Sequence, residues 1–245
     1  MKRAMLVIGQ SHVAAIRDAA RLRRERDPAA PRTRVIHTGE PRYAPELVGE
    51  GEAARLAAPL AEAIRDQVER HDPLLVSVTG GNVHNVLGLM RHPRPFDFRL
   101  SGEPSPPLDP AAELLVEGLM SATLARMMTL DLTRLRALRA AVGPFIHVES
   151  PPPIRDDGFI AAAADLFFRD AGIASLGVSP AGLRFRLWRL SSRLVRAEVE
   201  RLGCRFLAVP DAARDADGFL SPDLAGDATH GNARYGDILI EALQR

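Results

Sequence analysis

Short apolar runs of strand length alternate along this chain with longer stretches of helical spacing, and this alternation constrains the fold most. The runs at residues 4–8 and 74–79 are mostly apolar and lack a polar residue at every second position. Between them, Leu56, Leu60 and Ile64 lie four residues apart, as on one face of a helix. Strands of a parallel sheet are continuous apolar runs, because helices cover both faces of the sheet. The sequence therefore predicts an α/β fold of this kind.

The same pattern gives approximate boundaries for each element. The predicted strands are residues 4–8, 34–38, 74–79, 145–149 and 206–209. The predicted helices are residues 12–26, 52–70, a long region 111–141 broken near Asp131, one or two helices within 158–202, and 233–244. Residues 91–110 carry six prolines, which exclude a regular helix there.

Composition limits the class of protein. The chain has 245 residues, a formal net charge of +1 and one cysteine, Cys204. This length fits one α/β domain over residues 1–245, and the balanced charge gives no general attraction to nucleic acid. A lone cysteine fits a reducing compartment. The first apolar run is too short for a signal peptide, and no run approaches the ~20 residues that span a bilayer. We expect a cytoplasmic protein without a membrane span.

Three polar groups lie where strands meet helices. Ser11 follows the first strand, Gly80-Gly81-Asn82 follows the third, and Asp227 and His230 precede the last helix. Singly, Ser11 fits a helix N-cap, Asp227 a turn residue and His230 a surface histidine. The carboxyl ends of parallel strands share one edge of the sheet, where open α/β folds bind ligands. A serine nucleophile needs a base, a carboxylate and oxyanion donors, so the set predicts acyl-transfer chemistry.

The order of these groups resembles the SGNH hydrolases, also called the GDSL esterase/lipase family. Gly9-Gln10-Ser11 is similar to the family's first block, Gly80-Gly81-Asn82-Val83 to its third, and Asp227-Ala228-Thr229-His230 matches its fifth. Gln10 and Val83 replace two aspartates of the usual blocks, which indicates a divergent bacterial member. The resemblance extends over nearly the whole chain through the α/β order. It implies a three-layer α/β/α fold with a flavodoxin-like, five-stranded parallel sheet.

The resemblance also implies roles for individual residues. Ser11 would be the nucleophile, His230 its base, and Asp227 the group that orients His230. The oxyanion would be bound by the Ser11 N–H, the Asn82 amide and one glycine after the second strand. Of Gly39, Gly49 and Gly51, we favour Gly51 because it immediately precedes the predicted second helix.

Other polar residues beside these blocks are candidates for contact with substrate. Gln10 and His84 are predicted to bind it, although local hydrogen bonding explains His84 equally well. No cofactor is implied, and no spacing typical of a metal site links the histidines and carboxylates.

The predicted function is a serine esterase acting on a small acyl ester or a carbohydrate O-acetyl ester. An O-acyltransferase needs the same triad, and a non-catalytic binding protein with the same fold remains a third hypothesis. The expected partner is a small-molecule or glycan ester, and the oligomeric state is left open. Residues 91–110 form a lid or pocket wall in one hypothesis and a solvated excursion in the other. Arg189, Arg193 and Arg196 share a helix face that either receives an anionic substrate or is simply solvated.

Overall fold

The computed structural model describes residues 3–245. The strands are β1 Met5–Gly9, β2 Thr33–His37, β3 Leu47–Val48, β4 Arg55–Leu56, β5 Leu74–Val78, β6 Phe96–Phe98, β7 Glu113–Leu115, β8 Ile146–Val148 and β9 Arg205–Leu207. The α-helices are α1 Val13–Arg26, α2 Ala58–His71, α3 Val83–Gly88, α4 Glu117–Met127, α5 Thr129–Val142, α6 Asp157–Ala163, α7 Leu166–Phe168, α8 Ala174–Leu176, α9 Ala181–Arg201 and α10 Ala233–Leu243.

The central sheet has five parallel strands in the order β2-β1-β5-β8-β9. Numbered among themselves, these strands run 2-1-3-4-5, which is the flavodoxin-like order. The prediction of a flavodoxin-like parallel sheet is therefore confirmed. In the register of β1 with its two neighbours, Gly9 pairs with both His37 and Val78. β1, β2 and β5 therefore end at the same edge of the sheet. The strand order reverses between β1 and β5, because β2 lies on one side of β1 and all later strands lie on the other.

Helices cover both faces of the sheet because alternate strand residues point to opposite sides. Along β1, Met5 and Val7 join a core with the buried residues of α1 and α10. Leu6 and Ile8 join a second core with the buried residues of α2 and α5. All five residues of β1 are buried, which explains why its sequence is a continuous apolar run. The result is the predicted three-layer arrangement.

Two predicted helix boundaries are wrong. The second helix begins at Ala58 rather than near residue 52, because residues 47–56 form the short antiparallel hairpin of β3 and β4. Pro59 then lies in the first turn of the helix, where its missing N–H costs nothing. The long region after residue 111 starts with β7 and breaks at Met128, three residues before the predicted Asp131. Helical spacing alone shows neither a short strand nor a one-residue break.

The proline-rich segment 91–110 is fastened to α9. The Asp97 carboxylate forms an ion pair with Arg186, and the two side chains are 1% and 0% exposed. Arg186 also donates to the carbonyl oxygen of Pro106 at 2.6 Å. Phe98 of this segment is fully buried in the core with α4 and α9. These contacts hold the segment against the body of the protein as a fixed wall.

The arginines of α9 mostly serve this attachment. Arg189 and Arg193 both pair with Glu103 of the proline-rich segment, and Arg193 also pairs with Glu117 at 3.1 Å. Arg196 lies over the ring of Phe206, 4.8 Å from its centroid. The charges of the predicted basic face are therefore largely used within the protein. Within residues 3–245, no helix is both long enough and apolar enough to cross a bilayer.

Candidate active site

Ser11 lies at the carboxyl end of β1, two residues before α1 begins. A Cβ on Gly9 would lie 2.7 Å from the backbone of Val78, so β1 ends in close contact with β5. His12, not Ser11, occupies the N-cap of α1, and no side chain caps this helix. Ser11 is exposed, and its hydroxyl forms no hydrogen bond to residues 3–245. The structure thus gives Ser11 no capping role and leaves its hydroxyl open to solvent.

Asp227 and His230 form a hydrogen-bonded pair. Both carboxylate oxygens of Asp227 lie 2.9 Å from His230 Nδ1. Asp227 Oδ1 also accepts from the backbone N–H groups of Thr229 and His230, at 2.8 and 2.9 Å. Asp227 therefore stabilises the turn, which is its ordinary structural role, and also binds the imidazole of His230.

The charge state of Asp227 follows from these contacts. Burial alone would raise the pKa of the carboxyl, but the hydrogen bonds from His230 and Thr229 outweigh it and lower the pKa to about 2. The carboxylate is therefore ionised at all ordinary pH values. An ionised partner on Nδ1 holds the proton there and leaves Nε2 as the acceptor atom of the ring.

The loop that carries His230 is fixed at both ends. The Gly226 N–H donates to the His230 carbonyl at 2.7 Å, which closes the turn. Asn232 caps α10 by accepting from the N–H groups of Arg234 and Tyr235. A Cβ on Gly231 would lie 2.3 Å from the Tyr235 ring, so only glycine fits between the histidine and α10. The position of the imidazole is thereby tied to the start of the last helix.

Ser11, Asp227 and His230 line one open groove. The same groove is lined by His37 at the end of β2 and by Arg17 of α1. No hydrogen bond joins the Ser11 hydroxyl to His230 among the described residues. His230 Nε2 is buried and has no hydrogen-bond partner in this part of the chain. The structure brings the three predicted triad residues together, with the acceptor nitrogen of His230 unused.

Asn82 lies at the N-terminus of α3, beyond the end of β5. Its Oδ1 accepts from Asn85 Nδ2 at 2.8 Å, so its own amide N–H₂ faces away from Asn85. Neither that N–H₂ group nor the Ser11 N–H donates to a partner within residues 3–245. Both therefore remain able to donate to a ligand. Asn85 thereby orients the Asn82 amide, although in the sequence it resembles an ordinary polar residue at a helix start.

Gly51 lies away from these donors. It is exposed at the tip of the hairpin between β3 and β4, with φ of +55°, and a Cβ there would meet nothing within 4 Å. It precedes α2 by seven residues, so the sequence reason for choosing it does not hold. Gly81 lies three residues after the end of β5, has φ of +89°, and contacts His12. Gly81 is next to Asn82 in the chain, whereas the earlier candidates Gly39, Gly49 and Gly51 are not.

Gln10 and His84 are held inside the protein. Gln10 Oε1 accepts from the Gly80 N–H at 2.9 Å, and its Nε2 donates to Glu46, which Arg134 binds from the other side. His84 is 2% exposed, and burial lowers its pKa to about 3. These positions argue against the predicted contacts of both residues with substrate. Gln10 instead connects the end of β1 to the turn after β5.

No metal centre accompanies this arrangement. Among residues 3–245, no group of three or more His, Cys, Asp or Glu side chains is placed to hold a metal ion. Cys204 is a free, buried cysteine packed in the core with α9.

Comparison with known proteins shows similarity over nearly the whole chain. No family model and no curated protein matches. A GDSL-like lipase from Bacteroides thetaiotaomicron has 12% sequence identity and a TM-score of 0.44, covering 98% of this chain and 85% of that one. The periplasmic domain of a lipopolysaccharide acetyltransferase from Salmonella ser. Paratyphi A has 13% identity and a TM-score of 0.47, covering 99% and 82%.

Proposed function

We propose that this protein is a serine esterase that cleaves a short acyl ester through an acyl-serine intermediate. One observation carries the proposal: an unengaged serine hydroxyl and a carboxylate-bound imidazole line the same groove. A pair of this kind can take the proton of a serine, which makes an otherwise poor nucleophile reactive.

The reaction follows from the roles of these groups. Ser11 Oγ attacks the ester carbonyl carbon, and its proton passes to His230 Nε2. The tetrahedral intermediate then collapses, the ester C–O bond breaks, and the proton passes from Nε2 to the leaving alcohol. Water next attacks the acyl-serine and gives a proton to His230 Nε2. The bond from Ser11 Oγ to the acyl carbon then breaks, and the proton returns from Nε2 to Ser11 Oγ as the carboxylic acid leaves. Asp227 stays ionised throughout and stabilises the imidazolium.

The oxyanion of the intermediate needs hydrogen-bond donors at a fixed position. The unpaired Ser11 N–H and the Asn82 amide are the two donors we assign, and the Gly81 N–H is a third on the same turn as Asn82. Each well-placed donor contributes about 2.7–4 kcal/mol to stabilisation of the transition state. These groups are preorganised, because Asn85 orients Asn82 and Gln10 holds the turn.

The groove favours a short acyl group on a polar alcohol. Its lining consists mostly of small and polar residues, and Val13 is its one large apolar side chain. Much of the groove surface is apolar, but the groove is open to solvent, so a long acyl chain bound there would stay in contact with water. Arg17 and His37 offer hydrogen-bond donors to hydroxyl or anionic groups of the alcohol. An O-acetyl ester of a carbohydrate fits this description.

An open groove also allows a second acceptor. Ser11 is exposed, so a sugar hydroxyl can approach an acyl-serine as water does. In that case the same residues perform O-acyl transfer. The two activities are distinguished by measuring how the acyl group partitions between water and an added sugar.

The test of the proposal is labelling by a fluorophosphonate, followed by intact mass. We expect one adduct on the wild-type protein and none on Ser11→Ala. Ser105→Ala is the matched control, because Ser105 is also exposed but lies outside the groove. Asp227→Asn should label far more slowly than wild type, since the imidazole loses its orienting charge. A wild-type protein that forms no adduct between pH 6 and about pH 9 would favour a non-catalytic binding role.

A further inference from the structure

His12 contacts the imidazole of the proposed base. The ring centroids of His12 and His230 are 4.8 Å apart, with planes inclined by 58°. On its other side, the His12 ring lies against the turn after β5, where a Cβ on Gly81 would be 3.3 Å from His12 Nε2. The ring therefore fills the space between that turn and His230.

Ordinary structural roles do not account for His12. It occupies the N-cap of α1, but its side chain accepts no hydrogen bond from the helix. Both ring nitrogens are buried, and neither forms a hydrogen bond of good geometry among residues 3–245, although the Gly81 backbone lies near enough to interact with the ring. Burial, followed by the nearby His230 and His84, lowers the pKa of His12 to about 3. The ring is thus neutral at physiological pH and adds no charge next to His230.

A small cavity lies beside His12. Its volume is about 20 Å³, room for about one water molecule. The lining includes His12, Glu149 and Tyr235, and each carries a buried polar atom without a hydrogen-bond partner in the described residues, although Glu149 Oε1 also forms an ion pair with Arg189 at 3.5 Å. His12 therefore lines this cavity and also contacts the imidazole of His230. Removing the ring would leave a space beside His230 that water could enter.

We propose that His12 is a positioning residue for His230: its ring fixes the plane of the imidazole and keeps water from Nε2, which is then reserved for the Ser11 hydroxyl. This inference rests on the proposed esterase function. It explains why Nε2 is buried although the groove beside it is open. Other titratable or charged groups surround the pair: Asp227 on the same loop, His84 on α3, the groove residues His37, Arg17 and Asp18, and the cavity residues His147, Glu149 and Tyr235.

The test compares His12→Ala with His12→Phe. Alanine opens the space, whereas phenylalanine restores a ring of similar size without nitrogen atoms. His92→Ala is the matched control, because the half-buried His92 ring packs on Phe96 at 5.0 Å, as His12 packs on His230, but lies outside the groove. For each variant we would measure kcat and KM on a p-nitrophenyl acetate series, the rate of fluorophosphonate labelling, and urea unfolding.

We expect His12→Ala to lower kcat and the labelling rate about 10- to 100-fold with little change in KM, because a small misplacement of the base is costly. The pH–rate profile of His12→Ala should also differ from that of the wild type, since water would then reach the ring of the base. His12→Phe and His92→Ala should retain at least a third of the wild-type kcat, with unshifted profiles.

Two results would overturn the inference. If His12→Ala keeps the wild-type kcat and pH profile, the ring has only a packing role. If His12→Phe is as slow as His12→Ala while both unfold normally, the ring nitrogens take part directly and the positioning role is wrong. Failure of the esterase proposal itself is distinguishable, because the wild-type protein would then form no adduct at Ser11.

Discussion

Gly236 packs directly against the backbone carbonyl of Ala15 where α10 meets α1. A Cβ at Gly236 would lie 2.1 Å from the Ala15 oxygen, so only glycine permits this approach. Ser11 lies just before α1, and His230 lies just before α10. The distance between the proposed nucleophile and its base is therefore set by the contact between two helix backbones.

Gly236→Ala should separate the helices and lower both stability and activity. Because backbone atoms cannot move aside cheaply, we expect a loss of about 1–3 kcal/mol in the free energy of unfolding. The rate of fluorophosphonate labelling should fall at least 10-fold in protein that remains folded. Gly118→Ala is the control, since a Cβ there meets nothing within 4 Å. That variant should be equally active and slightly more stable. Wild-type labelling by Gly236→Ala would show that the helix contact does not position the site.

Asn82→Ala and Asn85→Ala should both lower kcat, but to different extents. Asn82→Ala removes an assigned oxyanion donor, so we expect kcat to fall about 10²- to 10³-fold. Asn85→Ala leaves the Asn82 amide present but unheld, because the 2.8 Å bond to its Oδ1 is lost, and kcat should fall by about 10-fold. Steady-state kinetics on a p-nitrophenyl ester would measure both. Equal kcat values for Asn82→Ala and wild type would remove Asn82 from the oxyanion site.

The sequence predicts the sheet well because a strand buried on both faces must be apolar throughout. β1 and β5 fall within a residue of the predicted limits for this reason. The hairpin at residues 47–56 escapes prediction because its two-residue strands have no periodicity to detect. Because of this hairpin, Gly51 lies seven residues before α2. The reason for expecting Gly51 to be the third oxyanion donor is therefore lost.

The site is predictable only in part, for a similar reason. Asp227 and His230 lie on one turn, so their spacing alone indicates their contact. Gln10 and His84 lie beside the predicted blocks but turn inward, and a sequence does not give the direction of a side chain in a loop. His12 is a neighbour of Ser11 in the chain, yet its contact with His230 exists only because α1 and α10 pack together.

Acid should destabilise the fold through three buried histidines. Burial lowers the pKa of His12 and His84 to about 3 and that of His147 to about 4, from 6.5 when exposed. The unfolded chain then binds more protons than the folded one, so stability is fully present above about pH 6.5 and is lost as the pH falls below it. Each histidine contributes up to about 1.4 kcal/mol per pH unit.

Together, the three histidines should give a slope approaching about 4 kcal/mol per pH unit near pH 5. Urea unfolding at pH 7, 6 and 5 would measure it. His147→Asn keeps a partner for Ser77 Oγ, which lies 3.1 Å from the His147 ring, and should reduce the slope by about a third. A wild-type slope below about 1.4 kcal/mol per pH unit would mean that these rings accept protons within the folded protein.

Asp97→Asn should destabilise the protein without altering ester hydrolysis. The substitution leaves the fully buried Arg186 charge without its partner, which costs about 3–5 kcal/mol. Trypsin should then cut more readily after Arg91 and Arg99, because their segment has lost its buried ion pair with α9 and keeps only the more exposed pairs of Glu103. None of residues 91–110 lines the groove of Ser11, so kcat/KM per folded molecule should stay at the wild-type value.

Two further variants separate the effect of burial on stability from the effect of charge in the pair of Asp97 and Arg186. The exposed pair of Asp66 and Arg70 provides a control, since Asp66→Asn should cost under about 1 kcal/mol. The double variant Asp97→Leu with Arg186→Met should recover most of the lost stability, because it leaves no buried charge uncompensated. A changed preference among ester substrates in folded Asp97→Asn would instead show that residues 91–110 act on the groove as a lid. Unaltered stability in that variant would show that the Asp97 charge is not needed at this position.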